Sequence, residues 1–193
     1  MGHTHSLCGA AGWLATSAYL HLRPAAAFGG AAICGLAAVC NDIDSKRSEA
    51  SRSLGYVTGI VSWGIRKSCG GHRKITHSLL GIALFAGGAA LAVQAAHWPM
   101  WIAWALILGF VNHTVMDMLT KEGCPLLWPW SMVHFALLPR FLRVTTGGKT
   151  RRKRRRNQGR VHHHLRRGSE YVVVQPLAAL AALGSVILLA LGR

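Results

Sequence analysis

Residues 75–116 read ITHSLLGIALFAGGAALAVQAAHWPMWIAWALILGFVNHTVM, a run without one Asp, Glu, Lys or Arg. The hydrocarbon core of a bilayer takes about 20 mostly apolar residues per helix. The run therefore has the length of two spanning helices. His97-Trp98-Pro99 supplies the break, because proline cannot continue a helix through its own position. Trp98, Trp101 and Trp104 crowd the start of the second helix, as aromatic side chains do at a membrane–water interface.

Similar gaps in fixed charge flank this stretch, at residues 1–22, 24–41 and 171–192. Helices are expected at about 7–22, 25–40, 78–96, 100–117 and 172–191, with the last three carrying the clearest signal. The first two are short and rich in Gly and Ala, so they fit either a tight helical hairpin or two spans; small residues let helices pack closely in lipid. Residues 54–65 and 124–139 are too short to span and suit the interface or a re-entrant path. The predicted fold is all-α, a polytopic helical membrane bundle of about four to five transmembrane helices. Its expected parts are an embedded domain at 1–145, a basic linker at 146–170 and a C-terminal helix at 171–193.

The 193-residue chain carries 22 Lys and Arg against 6 Asp and Glu, a formal charge of +16, yet 51% of it is hydrophobic. A soluble nucleic-acid-binding domain would be basic without being this apolar, and a disordered basic chain would lack the apolar residues. The charge is segregated into loops. Lys46, Arg47, Arg52, Arg66, Lys67, Arg73 and Lys74 lie between the second and third runs, and Lys121, Arg140 and Arg143 follow the fourth. The positive-inside rule puts both loops, and with them the N-terminus, in the cytoplasm of a bacterial-type inner membrane. No basic segment precedes the first apolar run, so a cleaved signal peptide is not expected.

Lys149–Arg167 concentrates basic residues, with no acid and with His162, His163 and His164 in a row. It is expected to be a disordered cytoplasmic loop that sets topology and meets anionic lipid headgroups. Nucleic acid is the less favoured partner, since no aromatic residues interleave the cations. Cys8, Cys34, Cys40, Cys69 and Cys124 include no C-x-x-C pair, and their odd number argues against a disulfide framework.

The chain holds three aspartates, Asp42, Asp44 and Asp117, and each stands at the end of an expected membrane helix. His3 and His5 precede helix one, His72 and His77 precede helix three, and His113 lies near the end of helix four. In the up-and-down topology all eight gather at the cytoplasmic end. His113 and Asp117, at i and i+4, share a helix face. Imidazole with carboxylate suits a borderline divalent cation, zinc first and manganese or iron after it. Eight candidates exceed the needs of one ion and allow one or two per chain. Singly, each has a plainer role: a histidine at a helix end caps it, and Asp42 and Asp44 pair with Lys46 and Arg47. Jointly, titratable groups at membrane depth point to function.

Three segments resemble the YdjM-like family of inner-membrane-associated, metal-dependent hydrolases: Asp42-Ile43-Asp44 with Ser48 nearby, Gly71–Leu80 with His72 and His77, and Gly109–Thr120 with His113 and Asp117, followed by Gly123–Pro129. The Gly2-His3 opening agrees as well, and the likeness covers about residues 1–130. It implies metal ligation by Asp42, Asp44, His72, His77, His113 and Asp117, and extends that role to His3. Ser45 stands where the family usually has His, a gap that His5 is placed to fill; Asn41 and Asn112 replace a usual Pro and Ser.

The expected function is hydrolysis of an ester or phosphoester at the cytoplasmic membrane face by a metal-activated water. Asp42 and Asp44 would serve as ligands or bridging carboxylates, with a carboxylate off the metal as general base. Arg73 or Lys74 would hold a substrate phosphate. Thr76-His77-Ser78 offers a hydroxyl beside a base, though capping of helix three is the simpler role for it. Two other classes use the same residues: a non-catalytic metal-binding sensor or transporter, and a membrane anchor for nucleic acid acting through the basic tract.

Overall fold

The computed structural model describes residues 2–44, 58–60, 63–64, 67, 74–139, 142–144, 148–149, 165–166 and 173–191. Five long α-helices dominate them: α1 Gly2–Tyr19, α2 Pro24–Cys40, α3 Leu79–Ala95, α4 Trp101–Met118 and α5 Gln175–Ala190. Short 3-10 turns follow α2 at Asn41–Asp44 and precede α3 at Ile75–His77. A two-residue antiparallel pairing joins Gly148–Lys149 to Leu165–Arg166.

Each helix ends where local chemistry stops it. Pro24 opens α2, and Arg23 before it is extended at ψ 146°, as a residue before proline prefers. His21, at φ 51°, and His97, at φ 55°, take left-handed conformations after α1 and α3. Ser78 caps α3: its Oγ accepts from the Gly81 N–H at 3.1 Å. Capping is thus the role the structure gives Ser78, in preference to that of a nucleophile.

The first helix differs from expectation. It occupies 2–19 rather than 7–22, so His3 and His5 lie on it instead of before it. The chain turns out of the helix by His21 ahead of Arg23-Pro24. The polar start becomes helical because Thr4 and His5 are buried against partners rather than solvated.

Lengths also differ. Pro24–Ile43 and Trp101–Met118 are long and apolar enough to cross a membrane, whereas α3 and α5 are apolar but have 17 and 16 residues. At 1.5 Å per residue each is about 25 Å long, a few ångströms short of a typical hydrocarbon core.

Helix α1 packs against α2, α4 and α5, α2 also packs against α4, and α3 leans on α4. The interior is built from small residues: Ala11, Ala18, Ala27, Ala31, Cys34, Ala37, Ala38, Ala103 and Ala105 are buried. Many large side chains face outward, among them Phe28, Leu36, Leu84, Leu91, Trp104, Leu180 and Leu183. Such a surface is a poor match for water and a good one for lipid. Gly109 shows how close the helices come: a Cβ there would lie 2.3 Å from the Cys34 carbonyl oxygen on α2. Trp13 fills the α1–α2 seam over Gly30, and its Nε1–H donates to the Ala26 carbonyl at 3.0 Å.

Candidate metal centre

Four elements meet at one end of the bundle. The first turn of α1 brings His5, the turn after α2 brings Asp42, the turn before α3 brings His77, and the last turns of α4 bring His113 and Asp117. His5, His77, His113 and Asp117 are buried, and Asp42 is 22% exposed on the open side.

Local contacts set the side chains. Asn41 ties the end of α2 to α4, its Nδ2 donating to the Phe110 carbonyl and to Thr114 Oγ1, both at 3.3 Å. That leaves Asp42 facing His113. The Nδ1 of His113 bonds the Ala38 carbonyl. A carbonyl only accepts, so Nδ1 carries the proton and Nε2 presents a lone pair to the centre. The Nδ1 of His77 pairs with Thr76 Oγ1 at 2.7 Å, which fixes that ring in turn. Thr120 Oγ1–H donates to the Asp117 carbonyl at 2.7 Å and closes the end of α4.

The inward-facing atoms are spaced as ligands of a common ion. His77 Nε2 lies 3.3 Å from Asp117 Oδ2 and 3.9 Å from Asp42 Oδ1. His113 Nε2 lies 3.5 Å from Asp42 Oδ1 and 4.0 Å from Asp117 Oδ2. His5 Nε2 lies 3.5 Å from Asp117 Oδ1. Two ligands about 2.1 Å from a tetrahedral ion stand about 3.4 Å apart. Most of these separations are too long for good hydrogen bonds and close to that value. The His5 and His113 rings stack at 4.0 Å, and His77 meets His113 edge-on at 5.1 Å.

Two sets of three ligand atoms each fall within 4.8 Å: His5, His113 and Asp117, and Asp42, His77 and His113. His113 is common to both and has one lone pair to give. Asp117 turns one oxygen towards His5 and the other towards His77, which suits a bridging carboxylate. The charge also fits. Two carboxylates sit at the C-terminal ends of α2 and α4, where the helix dipoles are negative, and a divalent cation offsets both.

Of the seven residues expected to ligate metal, the structure brings together Asp42, His77, His113 and Asp117. His3, exposed two residues before the buried His5 and on another face of α1, belongs to neither of the two ligand groups found among the described residues. His5 belongs to one of them. Sequence reasoning undervalued it because a helix starting at residue 7 leaves no inward face at position 5. From Gly2, the i, i+4, i+8 series His5, Gly9, Trp13 is buried and marks that face. The backbone of Asp44 ends the turn after α2. His72, Arg73, Ser45 and most of the Lys149–Arg167 tract lie outside the described residues. Lys74 precedes the turn that carries His77. Asn41 and Thr76, which position ligands, carry no signal in the sequence beyond adjacency to them.

Comparison with known proteins agrees with this architecture. The family model of the YdjM inner membrane protein matches residues 1–190. The chain belongs to that family. The match reaches beyond the motifs at 1–130 to include α5, which packs on α1 and shares its bundle. The inner membrane protein YdjM of Escherichia coli (strain K12) and that of Shigella flexneri are each 34% identical to the chain over 89 residues. The aligned stretch is 46% of this chain and 43% of each relative, under half of either. No solved structure matches. The family name supports a location at a bacterial inner membrane.

Proposed function

We propose that this member of the YdjM inner membrane protein family is a membrane-bound, metal-dependent hydrolase of an ester or phosphoester at the cytoplasmic face. The observation that carries the reading is the convergence of three imidazoles and two carboxylates, from four separate elements, on one end of an apolar bundle. Zinc suits this donor set best, with manganese or iron next, one or two ions per chain. His77, His113, Asp117 and Asp42 would hold the ion, with His5 on the far side of Asp117; Asp44 and His72 follow from family resemblance. A bound divalent cation supplies Lewis acidity, which lowers the pKa of water and polarises a carbonyl or phosphoryl oxygen.

The chain's own residues supply the rest. Ala38 and Thr76 fix the two rings, so orientation is settled before substrate arrives. His5, His77, His113 and Asp117 are buried, and Asp42 is the partly exposed member of the group. As the most exposed acid of the group, Asp42 faces the substrate side, and a carboxylate oxygen left off the ion would accept the proton there. Arg73, or Lys74 beside it, would balance charge on a substrate phosphate. The bundle is read as about four to five membrane helices with the N-terminus and basic loops cytoplasmic and with the Lys149–Arg167 tract on anionic headgroups.

A non-catalytic metal centre is the second reading. The deep burial of three of the ligands favours it, since structural sites are closed and catalytic ones keep an open position. Elemental mass spectrometry on detergent-purified protein tests the metal, using full-length chain with His162, His163 and His164 replaced by Ala and a non-histidine tag. Near-stoichiometric zinc, manganese or iron that falls in Asp117→Ala is expected. Folded protein that takes up no metal on addition would sink both readings. Metal without turnover in a phosphoesterase and esterase screen would leave the second.

A further inference from the structure

After α4 the chain forms a closed loop rather than a loose connection. Cys124 and Phe135 exchange both backbone hydrogen bonds, at 3.0 and 2.8 Å, which joins the ends of a compact loop. Gly123 makes this possible: it sits at φ 65°, and a Cβ there would meet the Phe135 carbonyl oxygen at 2.5 Å. Inside the loop the Trp128, Trp130 and Ser131 N–H groups all donate to backbone carbonyls, and Val133 N–H donates to Ser131 Oγ. These bonds tie much of the loop's backbone to itself.

A loop this well bonded normally turns polar side chains to water. This one turns out Leu127, Trp130, Met132 and Val133, with Trp130 80% exposed. Leu137 and Leu142, beyond the base, are exposed as well. The Leu79 N–H at the exposed start of α3 donates to the Leu126 carbonyl at 2.9 Å, so the loop stands beside a lipid-facing helix end. Two basic residues and one acid stand at its base: Lys121 and Glu122 are exposed, and Arg143 reaches the Leu138 carbonyl with Nε and the Lys121 carbonyl with Nη1. His134 folds back onto the Glu122 carbonyl.

We infer that residues 124–139 form a membrane-insertion loop, whose occupant is the headgroup layer of an anionic phospholipid bilayer. Trp130, Met132 and Val133 enter the acyl boundary, and Lys121 and Arg143 stay at phosphate level. Tryptophan prefers that depth because its ring is apolar and its N–H is polar. The loop and the candidate metal centre share one end of the bundle, since both hang from the end of α4. The centre is then held at the level of lipid headgroups. If the hydrolase reading holds, esters in that layer are the ones within reach; the loop's insertion does not rest on that reading.

The test is fluorescence of full-length protein reconstituted in phosphatidylethanolamine and phosphatidylglycerol vesicles. The Trp130 signal is obtained as the difference between wild type and Trp130→Phe, a change that keeps an apolar ring. Phospholipids brominated near the headgroup end of the acyl chain should quench most of that difference, and aqueous iodide little of it. Replacing phosphatidylglycerol by phosphatidylcholine should lower the share of that difference quenched by the shallow bromolipid. Iodide quenching without bromolipid quenching overturns the inference. So does shielding from both quenchers, which would mean that protein covers the loop. Deep-chain bromines quenching more than shallow ones would also overturn it, since a re-entrant path then replaces interfacial insertion. Loss of metal in Asp117→Ala should leave the quenching unchanged.

Discussion

Replacing Gly109 by alanine tests whether the centre depends on helix spacing. The new Cβ would lie 2.3 Å from the Cys34 carbonyl oxygen and 2.8 Å from the Ala37 Cβ, where ordinary contact begins at 3.4 Å. The obstacle is backbone, not a side-chain tip that can swing away. Helices α2 and α4 must therefore part by about 1 Å. His113 lies one turn beyond Gly109 on the same face of α4, and Asp42 follows the end of α2. Their ligand atoms, 3.5 Å apart, would separate to about 4.5 Å if the shift ran along their vector. That exceeds the spacing of about 3.4 Å that a tetrahedral ion imposes. Overpacking of this kind costs about 1–3 kcal/mol of stability. Loss of ligand orientation costs about 10–100-fold in metal affinity. Zinc affinity is measured by competition with a chromogenic chelator in detergent, alongside thermal unfolding followed by circular dichroism. A Gly109→Ala protein that binds zinc as tightly as wild type, at the same melting temperature, would refute the link between seam and site. A protein that melts lower but binds normally would show that the ligands do not ride on the α2–α4 spacing.

The two N-terminal histidines should behave differently. His5→Ala should weaken zinc binding by at least about tenfold, because His5 Nε2 lies 3.5 Å from Asp117 Oδ1, whereas His3→Ala, on an exposed part of α1, should leave it near wild type; equal losses in the same competition titration would contradict this assignment. Asn41→Leu removes two buried hydrogen bonds that hold the end of α2 to α4. It should cost about 1–3 kcal/mol, read as a lower denaturant midpoint in mixed micelles. An unchanged midpoint would show that the amide contributes no net stability there.

The sequence was sufficient for four of the five helices and for the approximate course of the first. Residues without charge over a helix-length run can be satisfied only by apolar surroundings and internal backbone hydrogen bonds. The four later breaks, at Arg23-Pro24, after Asp44, at His97-Trp98-Pro99 and after Asp117, follow from proline, turn and charge chemistry near each chain position. The motifs around Asp42, His77, His113 and Asp117 could likewise be read from the chain, since alternating helix directions send them to one end.

What the sequence left open was decided by packing. Whether the chain is helical from residue 2 or residue 7 makes no difference to hydropathy, yet it chooses His5 over His3, because helical residues two apart point about 200° apart. Ala38 orients His113 through a backbone carbonyl, a group that every residue has and no motif records. Gly109 matters because Cys34 lies opposite it on another helix. Residues 124–139, short and interrupted by prolines, fitted both an interfacial and a re-entrant path by composition. Only the closure of the backbone between Cys124 and Phe135 shows which side chains it turns outward. Local chemistry thus dictated most of the helix breaks, and long-range contact decided where α1 begins and which polar atoms share a centre.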